Sequence, residues 1–354
     1  MKLKKIIAER KKIQHYLIGG VIIGVVYAMV EYFVRMKTGY DPQLFIPLMI
    51  RASFMGALLM VSILIFEILL KGWFRKRQFI YLVLVRSFCY TIIITFLLAT
   101  INGIWYVIND KMSLQEELIN YFKDDMYFIN VTTVFLIAIL TTGLREINSL
   151  HGKGQLWNFV IGRYHTPREV KLIFCFIDLK GSTTIAEKLG HLQFAMFLQD
   201  FFSDITEAIQ NTNANIYKYV GDEVILSWTY EKGLKNNNMI NCFFQMRELI
   251  EAEKLKYVNK YGISPEFKAG LHGGHVIVTW VGELKREITY LGDVLNTTAR
   301  IQEDCKRLGR DFLISEELLN QVKDLKNVKA EFIDDTVLRG KQKHIKLYSL
   351  EKKD

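Results

Sequence analysis

The first 150 residues contain four long stretches in which apolar residues follow one another almost without interruption. Each stretch is long enough to cross a hydrocarbon layer of ~30 Å as a helix that rises ~1.5 Å per residue. Helices of a soluble bundle keep a polar face, and a segment such as Ile92–Ala99 has none. The pattern therefore predicts an α-helical membrane domain over 16–144, with four transmembrane helices at about 16–34, 44–70, 79–107 and 126–144.

The distribution of charge predicts how these helices are oriented. Residues 1–150 hold 17 Lys and Arg against 10 Asp and Glu, so they carry +7 of the net charge of +9. The basic residues cluster before the first stretch and between the second and third, and the segment between the third and fourth is acidic. The positive-inside rule then places residues 1–15 and the C-terminus in the cytoplasm of a multi-pass protein of the plasma (inner) membrane. Residues 151–354 are nearly neutral, which disfavours a nucleic-acid partner.

Four charged residues fall inside the apolar stretches, where charge is costly and therefore informative. Glu31 and Arg51 lie toward the outer side, and Glu67 and Arg86 lie toward the inner side. We expect two ion pairs between neighbouring helices, although Glu31 and Glu67 could instead extend to the membrane surface. None of the stretches contains a histidine. Haem held between helices by two axial histidines is therefore not expected.

The second half has the alternation of strands and helices expected of an α/β or α+β domain. A linker over 145–168 precedes an apolar, strand-like run, Val170–Ile177, that ends in Asp178. A helix opens at about Gly181–Thr183, so that its first N–H groups face the strand end and suit phosphate oxygens. A carboxylate at that place suits Mg²⁺, although an aspartate before a helix is often only an N-cap.

A second carboxylate follows about forty residues later. After a predicted amphipathic helix around His191–Gln210, the runs Ile216–Val220 and Val224–Trp228 flank Gly221 and Asp222 as a β-hairpin. Gly-Asp is ordinary turn chemistry when it stands by itself. With Asp178 on an adjacent strand end, however, Asp222 would complete a paired-carboxylate site for two divalent cations of the kind used in phosphoryl displacement.

Three motifs in this order resemble the catalytic domain of class III nucleotidyl cyclases. They are Phe176–Thr183, Lys218–Glu223 and Gly292–Arg300, and the resemblance covers about 165–350. It implies an α+β domain over 169–354 with a ferredoxin-like βαββαβ core, attached to the four-helix membrane domain. It also implies two Mg²⁺ or Mn²⁺ ions per active site, held by Asp178 and Asp222 with the Leu179 carbonyl as an extra ligand.

The resemblance also assigns roles to residues that follow the metal site. Asn296 would orient the ribose, and Arg300 would stabilise charge on the α-phosphate. Their i,i+4 spacing independently places both on one helix face. Arg310 and Lys341 match basic positions that grip the triphosphate, although each could be an ordinary surface cation.

Lys218 and Thr289 fall where this family recognises the purine. Lysine can donate to adenine N1 and threonine can accept from the 6-amino group, whereas guanine presents the opposite pattern. The resemblance therefore implies an adenylate cyclase that converts ATP to 3′,5′-cyclic AMP and pyrophosphate, as a homodimer with active sites shared between subunits. A guanylate cyclase and a catalytically inactive nucleotide-binding membrane scaffold are the alternatives. The linker could couple the membrane helices to catalysis, or the helices could serve as an anchor; no regulatory ligand is indicated.

Overall fold

A computed structural model describes residues 2–37, 45–74, 78–110, 125–151, 165–284, 286–325, 327–337 and 344–353, together with residues 162 and 163 and a few single residues within 111–124. The chain divides into two compact units, Met1–His151 and Gly152–Asp354. Residues 152–161 of the predicted linker and the predicted phosphate ligand Lys341 lie outside the described residues.

The first unit consists of long apolar helices, as the sequence predicts. The described helices are α1 (Lys2–Lys37), α2 (Phe45–Phe74), α3 (Phe79–Asp110) and α4 (Asp125–His151). Each contains a segment long and apolar enough to cross a membrane: Ile13–Phe33, Phe45–Leu70, Phe79–Ile101 and Tyr127–Ile147. The expectation of four apolar helices at the N-terminus is therefore confirmed.

Small residues allow α1 and α2 to pack closely. A Cβ atom on Gly20 would lie 2.7 Å from the Ala57 Cα atom, a distance that real side chains do not tolerate. Without such small residues the two backbones could not approach each other closely. Within a membrane, where the hydrophobic effect does not drive helices together, the van der Waals contacts of closely packed backbones stabilise their association. On the same pair of helices Arg51 Nη2 lies 3.5 Å from Glu31 Oε1, so the first of the expected ion pairs is present.

The second expected ion pair belongs to a larger network that joins three helices. Arg86 Nε on α3 lies 3.6 Å from Glu67 Oε1 on α2. Arg145 on α4 donates from Nη2 to Glu67 Oε2 at 2.7 Å, and Arg86 also donates to Glu146. The hydroxyl of Tyr90 donates to Glu67 as well. Each of these charges has at least one partner of opposite sign, which offsets part of the cost of placing these groups among apolar helices.

The second unit is built on one mixed eight-stranded sheet. Its strands are β1 (Arg168–Leu179), β2 (Asn215–Val220), β3 (Glu223–Thr229), β4 (Phe267–Val281), β5 (Glu287–Leu291), β6 (Phe312–Ser315), β7 (Val328–Val337) and β8 (His344–Lys352). The order is β2-β3-β1-β4-β6-β8-β7, and β5 pairs with β4. Its helices are α5 (Ser182–Asp204), α6 (Thr206–Asn211), α7 (Tyr230–Leu234), α8 (Asn238–Ala252), α9 (Lys254–Tyr261), α10 (Asp293–Arg307) and α11 (Glu316–Leu319).

The order β2-β3-β1-β4 is that of the expected ferredoxin-like core. β1 is the central strand and pairs antiparallel with both β3 and β4. Six consecutive residues of β1, Leu172–Ile177, are buried, which explains why this strand is an uninterrupted apolar run rather than an alternating one. The charged residues that follow the run are thereby brought to the edge of a well-packed sheet.

The helix after β1 begins where the sequence predicts, at the opening expected at Gly181–Thr183, and it includes the first part of the predicted amphipathic segment His191–Gln210. It runs over Ser182–Asp204, and a short helix, Thr206–Asn211, continues it. Gly190 interrupts the regular helix with a φ of 73°. Only glycine takes up such a positive φ readily, so the interruption falls at a residue that tolerates it.

Two aspartates on α5 accept hydrogen bonds that hold α9 against α5. Asp200 accepts hydrogen bonds from Lys260 Nζ at 2.6 Å and from the Tyr261 hydroxyl at 2.8 Å. One helical turn later, Asp204 accepts from Lys256 at 2.5 Å and from the Tyr257 hydroxyl at 2.7 Å. Burial raises the pKa of Asp200, but the hydrogen bonds from Lys260 and Tyr261 outweigh it and hold that pKa below its usual range.

We expect Asp200→Asn to destabilise the second unit by about 2–3 kcal/mol, because it removes the charge that accepts hydrogen bonds from Lys260 and from the buried Tyr261 hydroxyl. The thermal unfolding temperature of the solubilised full chain should fall by about 5–10 °C at pH 7. A carboxylate whose pKa is lowered in the folded state contributes its full stabilisation at pH values above its pKa in the unfolded state. The difference in unfolding temperature between parent and variant should therefore become smaller as the pH falls below ~4. Asp335→Asn, at an exposed position on β7, is the matched control. Equal unfolding temperatures for parent and Asp200→Asn would contradict this account.

Candidate active site

The two predicted aspartates lie at the same edge of the sheet. Asp178 is the penultimate residue of β1 and pairs across the ladder with Glu223, the first residue of β3. Asp222 immediately precedes Glu223 and, with Gly221 at a φ of 63°, forms the two-residue turn between β2 and β3. The hairpin therefore carries Asp222 to the end of the strand that neighbours Asp178, as the sequence predicts.

Burial, followed by mutual repulsion, raises the pKa values of carboxyl groups at this edge. Burial, and after it the negative charge of Asp222, raises the pKa of Asp178. Burial and the charges of Asp178 and Asp222 raise the pKa of Glu223 to about 7. Three carboxyl groups thus share a region too small to hold three negative charges without positive charge nearby. Sequence reasoning missed Glu223, which the ladder places directly beside Asp178.

Two further residues that sequence reasoning missed contact the same oxygen of Asp178. Lys268, on β4, is its other cross-strand neighbour, and its Nζ lies 3.4 Å from Asp178 Oδ2. Gln302, on α10, donates from Nε2 to the same Oδ2 at 3.1 Å. No local sequence motif predicts either contact, because tertiary structure alone brings Lys268 and Gln302 to Asp178.

The donor set at this edge fits hard divalent cations. Asp178 and Asp222 supply carboxylate oxygens, and Leu179, whose side chain is buried in the core, follows Asp178 and offers a backbone carbonyl. Among the described residues no group of three or more His, Cys, Asp and Glu side chains is placed to hold a metal. Two carboxylates and a carbonyl are oxygen ligands, and Mg²⁺ is usually bound by one or two carboxylates and completes its shell with water and substrate phosphates.

The predicted base-recognition residue Lys218 contacts β5, the strand that carries Thr289. Tyr217 and Tyr290 pack edge to face with ring centroids 4.8 Å apart. Lys218 Nζ donates to Glu287 Oε2 at 3.0 Å, and this hydrogen bond raises the pKa of Lys218. Glu287 and Thr289 are two residues apart on β5 and so share one face of the strand. The sequence did not predict the role of Glu287.

The predicted ribose and transition-state residues lie on α10. Its buried face includes Thr298, Ile301 and Gln302, whereas Asn296 is exposed and Arg300 is half-buried. Arg300 Nη1 donates to Glu303 Oε2 at 2.7 Å, one turn along the same helix. The helix therefore directs Gln302 to Asp178 of its own chain and presents Asn296 and Arg300 on its outer side.

The structure does not join Arg310 to the paired aspartates. Arg310 Nη1 donates to Glu351 at 2.9 Å, and its Nη2 lies 3.7 Å from Glu331. It directly precedes Asp311, which pairs with Lys180 at 2.5 Å, so it lies at the same edge of the sheet but two strands away from β1. Its assignment as a phosphate ligand remains a prediction.

Comparison with known proteins agrees with this architecture. Residues 165–352 match the model of the adenylate and guanylate cyclase catalytic domain. The match covers more than half of the chain, and the chain belongs to this family. Catalytic domains of this family bind a nucleotide, are generally dependent on divalent metal ions and function as dimers.

Individual relatives and solved structures show the same similarity. Adenylate cyclase 2 of Rhizobium meliloti is 33% identical over 221 residues, 61% of this chain and 61% of that protein. An adenylate cyclase of Anabaena cylindrica is 26% identical over 200 residues, 54% of this chain and 38% of that protein. The structure of a bacterial light-regulated adenylyl cyclase superposes with a TM-score of 0.53 at 20% identity, covering 62% of this chain and 64% of that one. The chain thus spans less than two thirds of these relatives, and the structural likeness bears on the fold.

Proposed function

We propose that this chain is an adenylate cyclase that converts ATP to 3′,5′-cyclic AMP and pyrophosphate. One observation carries the proposal: a member of the cyclase family has, besides its paired aspartates, a Lys218 held by Glu287 two residues from Thr289. The first feature defines where phosphoryl chemistry takes place, and the second defines which purine is accepted.

The reaction consists of attack by the ribose 3′-hydroxyl on the α-phosphate. The O3′–Pα bond forms, the bond from Pα to the bridging oxygen of pyrophosphate breaks, and the hydroxyl proton passes to solvent water. Asp178 and Asp222, with the Leu179 carbonyl, hold two Mg²⁺ or Mn²⁺ ions, which when bound supply positive charge to the phosphates and lower the pKa of the hydroxyl. Asn296 orients the ribose and Arg300 meets the charge that develops on the α-phosphate, so that catalysis rests on positioning and electrostatics.

Selection of adenine follows from the hydrogen-bonding pattern of two side chains. The raised pKa of Lys218 keeps its ammonium protonated, so it remains a donor toward adenine N1. The Thr289 hydroxyl accepts from the 6-amino group. Guanine would place a donor against the ammonium, and an unpaired polar group in such a site is strongly unfavourable.

Each active site is shared between two copies of the chain. On α10, the face that carries Gln302 is used within the chain, while Asn296 and Arg300 lie on the outer side. A second copy can then supply Asp178 and Asp222 to the nucleotide that Arg300 contacts, and two-fold symmetry creates two equal sites.

The four apolar helices anchor the enzyme in the plasma (inner) membrane, with both termini in the cytoplasm. We propose the domain boundaries that the sequence suggests: membrane helices over 16–144, a linker over 145–168 and the catalytic domain over 169–354. At the end of the linker, Trp280 Nε1 on β4 donates to the Arg163 carbonyl at 3.0 Å, which supports a route by which the linker influences the catalytic domain.

The proposal is tested by supplying ATP or GTP to membranes that contain the full chain, with Mn²⁺ present. We expect cyclic AMP from ATP and a kcat/KM for GTP that is lower by at least about a hundredfold. Equal rates with the two nucleotides would refute the assignment of substrate, and no cyclic nucleotide from either would refute the activity.

Glu287→Gln should lower kcat/KM for ATP by about 5–30-fold, because Lys218 loses the carboxylate that positions it. The loss should appear mainly as a higher KM, since the adenine ring is distant from the bond that breaks. Glu283→Gln, an exposed change on the segment before β5, is the control. A wild-type KM in Glu287→Gln would show that Lys218 needs no such support.

A further inference from the structure

Asp178 is the most heavily contacted carboxylate at the candidate active site, and its contacts are unequal. Lys268 Nζ and Gln302 Nε2 both approach Oδ2, at 3.4 Å and 3.1 Å. Both contacts use the same one of the two carboxylate oxygens, so together they restrict the rotation of this carboxylate.

Gln302 is well built for orienting a neighbour. It is only 4% exposed, on the face of α10 that packs against β4. The approach is close: a Cβ on Gly270 would lie 2.8 Å from the Gln302 Cα atom, so a residue with a side chain on β4 would push the helix away. The amide is thus delivered to Asp178 from a rigid backbone, and it carries no charge that could attract or repel a cation.

Lys268 differs from Gln302 in one respect, its charge. It stands in the sheet directly beside Asp178, which in turn stands beside Glu223. With its side chain only 15% exposed, its ammonium is poorly screened by water. It offsets the repulsion among the three carboxyl groups, and for the same reason it opposes any further cation that approaches Asp178.

We propose that Gln302 and Lys268 control the metal site in opposite directions: Gln302 orients Asp178 for a divalent cation, and Lys268 is a resident positive charge that weakens how tightly this cation is held. This inference rests on the proposed function in taking Asp178 as a metal ligand. Both residues are positioning residues, since each acts through Asp178. The consequence is a site whose occupancy follows the concentration of divalent cation instead of being permanently filled.

The experiment measures binding of Mn²⁺ to the full chain in detergent, without nucleotide, by the loss of the free-ion EPR signal. Gln302→Met keeps the volume and removes the donor, and its dissociation constant should rise about tenfold, as for other residues that support a metal ligand. Lys268→Met removes the charge, and its dissociation constant should fall about tenfold. Gln210→Met and Lys188→Met, both at exposed positions, should bind as the parent does.

A second readout is the rise in unfolding temperature caused by Mn²⁺, which should be smaller for Gln302→Met and larger for Lys268→Met. If Gln302→Met does not fold, Gln302→Asn, which keeps the amide but shortens its reach, takes its place with the same expected direction. The inference would be overturned if the Mn²⁺ dissociation constants of Gln302→Met and Lys268→Met both rose, both fell, or both equalled that of the parent.

Failure of the proposed function is distinguishable from failure of this inference. If Asp178→Asn leaves Mn²⁺ binding unaltered, Asp178 is not a ligand and the inference falls. If Mn²⁺ binds through Asp178 with the two opposite shifts while no cyclic AMP is formed, the control of the metal site stands and the proposed activity fails.

Discussion

Asp222→Asn is expected to lower the rate of cyclic AMP formation by about a thousandfold or more. The substitution removes one of the two carboxylates that we propose as metal ligands, and with it the positive charge that the triphosphate requires. The fold should survive, because Asn suits a two-residue hairpin turn at least as well as Asp. The measurement is cyclic AMP produced from ATP by membranes containing parent or variant at equal amounts of protein.

Asp335→Asn provides the control for this loss, since it makes the same chemical change at an exposed position on β7, the edge strand farthest along the sheet from β2. It should retain parental activity. Asp222→Asn protein that remains active within about tenfold of the parent would show that the turn aspartate plays only a structural role.

Two inactive variants should restore activity when they are produced together. Arg300→Ala is expected to be inactive by itself, as is Asp222→Asn. If each active site combines the aspartates of one chain with Arg300 of the other, a mixed dimer has one site that carries both defects and one that is intact. Random pairing should then return about a quarter of the parental activity.

The structural reason for this prediction is the orientation of α10. Its buried Gln302 reaches Asp178 of the same chain, while Arg300 pairs with Glu303 on the outer side. Co-production of Asp222→Asn with Asp178→Asn is the control, because both defects lie in the same half of the site and no mixed dimer has an intact one. Activity no higher in the first pair than in the second would contradict shared sites.

Local sequence patterns were sufficient for the central part of the fold. An apolar run that ends in Asp178, followed by a hairpin with Gly221 and Asp222 in its turn, fixes three strands and brings two carboxylates to one edge. The membrane helices could also be predicted from the sequence, because a transmembrane helix requires about 20 apolar residues in succession. The ion pair between Glu67 and Arg86 also followed from the cost of leaving either charge unpaired.

The residues that the sequence did not reveal are those whose partners lie far away along the chain. Gln302 is 124 positions from Asp178, and Glu287 is 69 positions from Lys218. Neither glutamine nor glutamate on an amphipathic element is unusual, so composition and periodicity give no sign of either contact. Such contacts depend on the packing of α10 against β4 and of β2 against β5, which sequence patterns do not specify.

The network at the end of the membrane helices shows the same limit. The sequence predicts a partner for Glu67 but not that Arg145 and Tyr90 also donate to it. Arg145 is the first residue of the predicted linker, but it lies within α4, which continues to His151.

The central claim is that this membrane-anchored chain makes 3′,5′-cyclic AMP, and product analysis tests it most directly. Full-length protein in membranes is supplied with ATP and Mn²⁺, and both products are quantified. We expect cyclic AMP and pyrophosphate in equal molar amounts from the parent protein and neither from Asp222→Asn. Absence of cyclic AMP from the parent, or release of ADP and phosphate in its place, would contradict it.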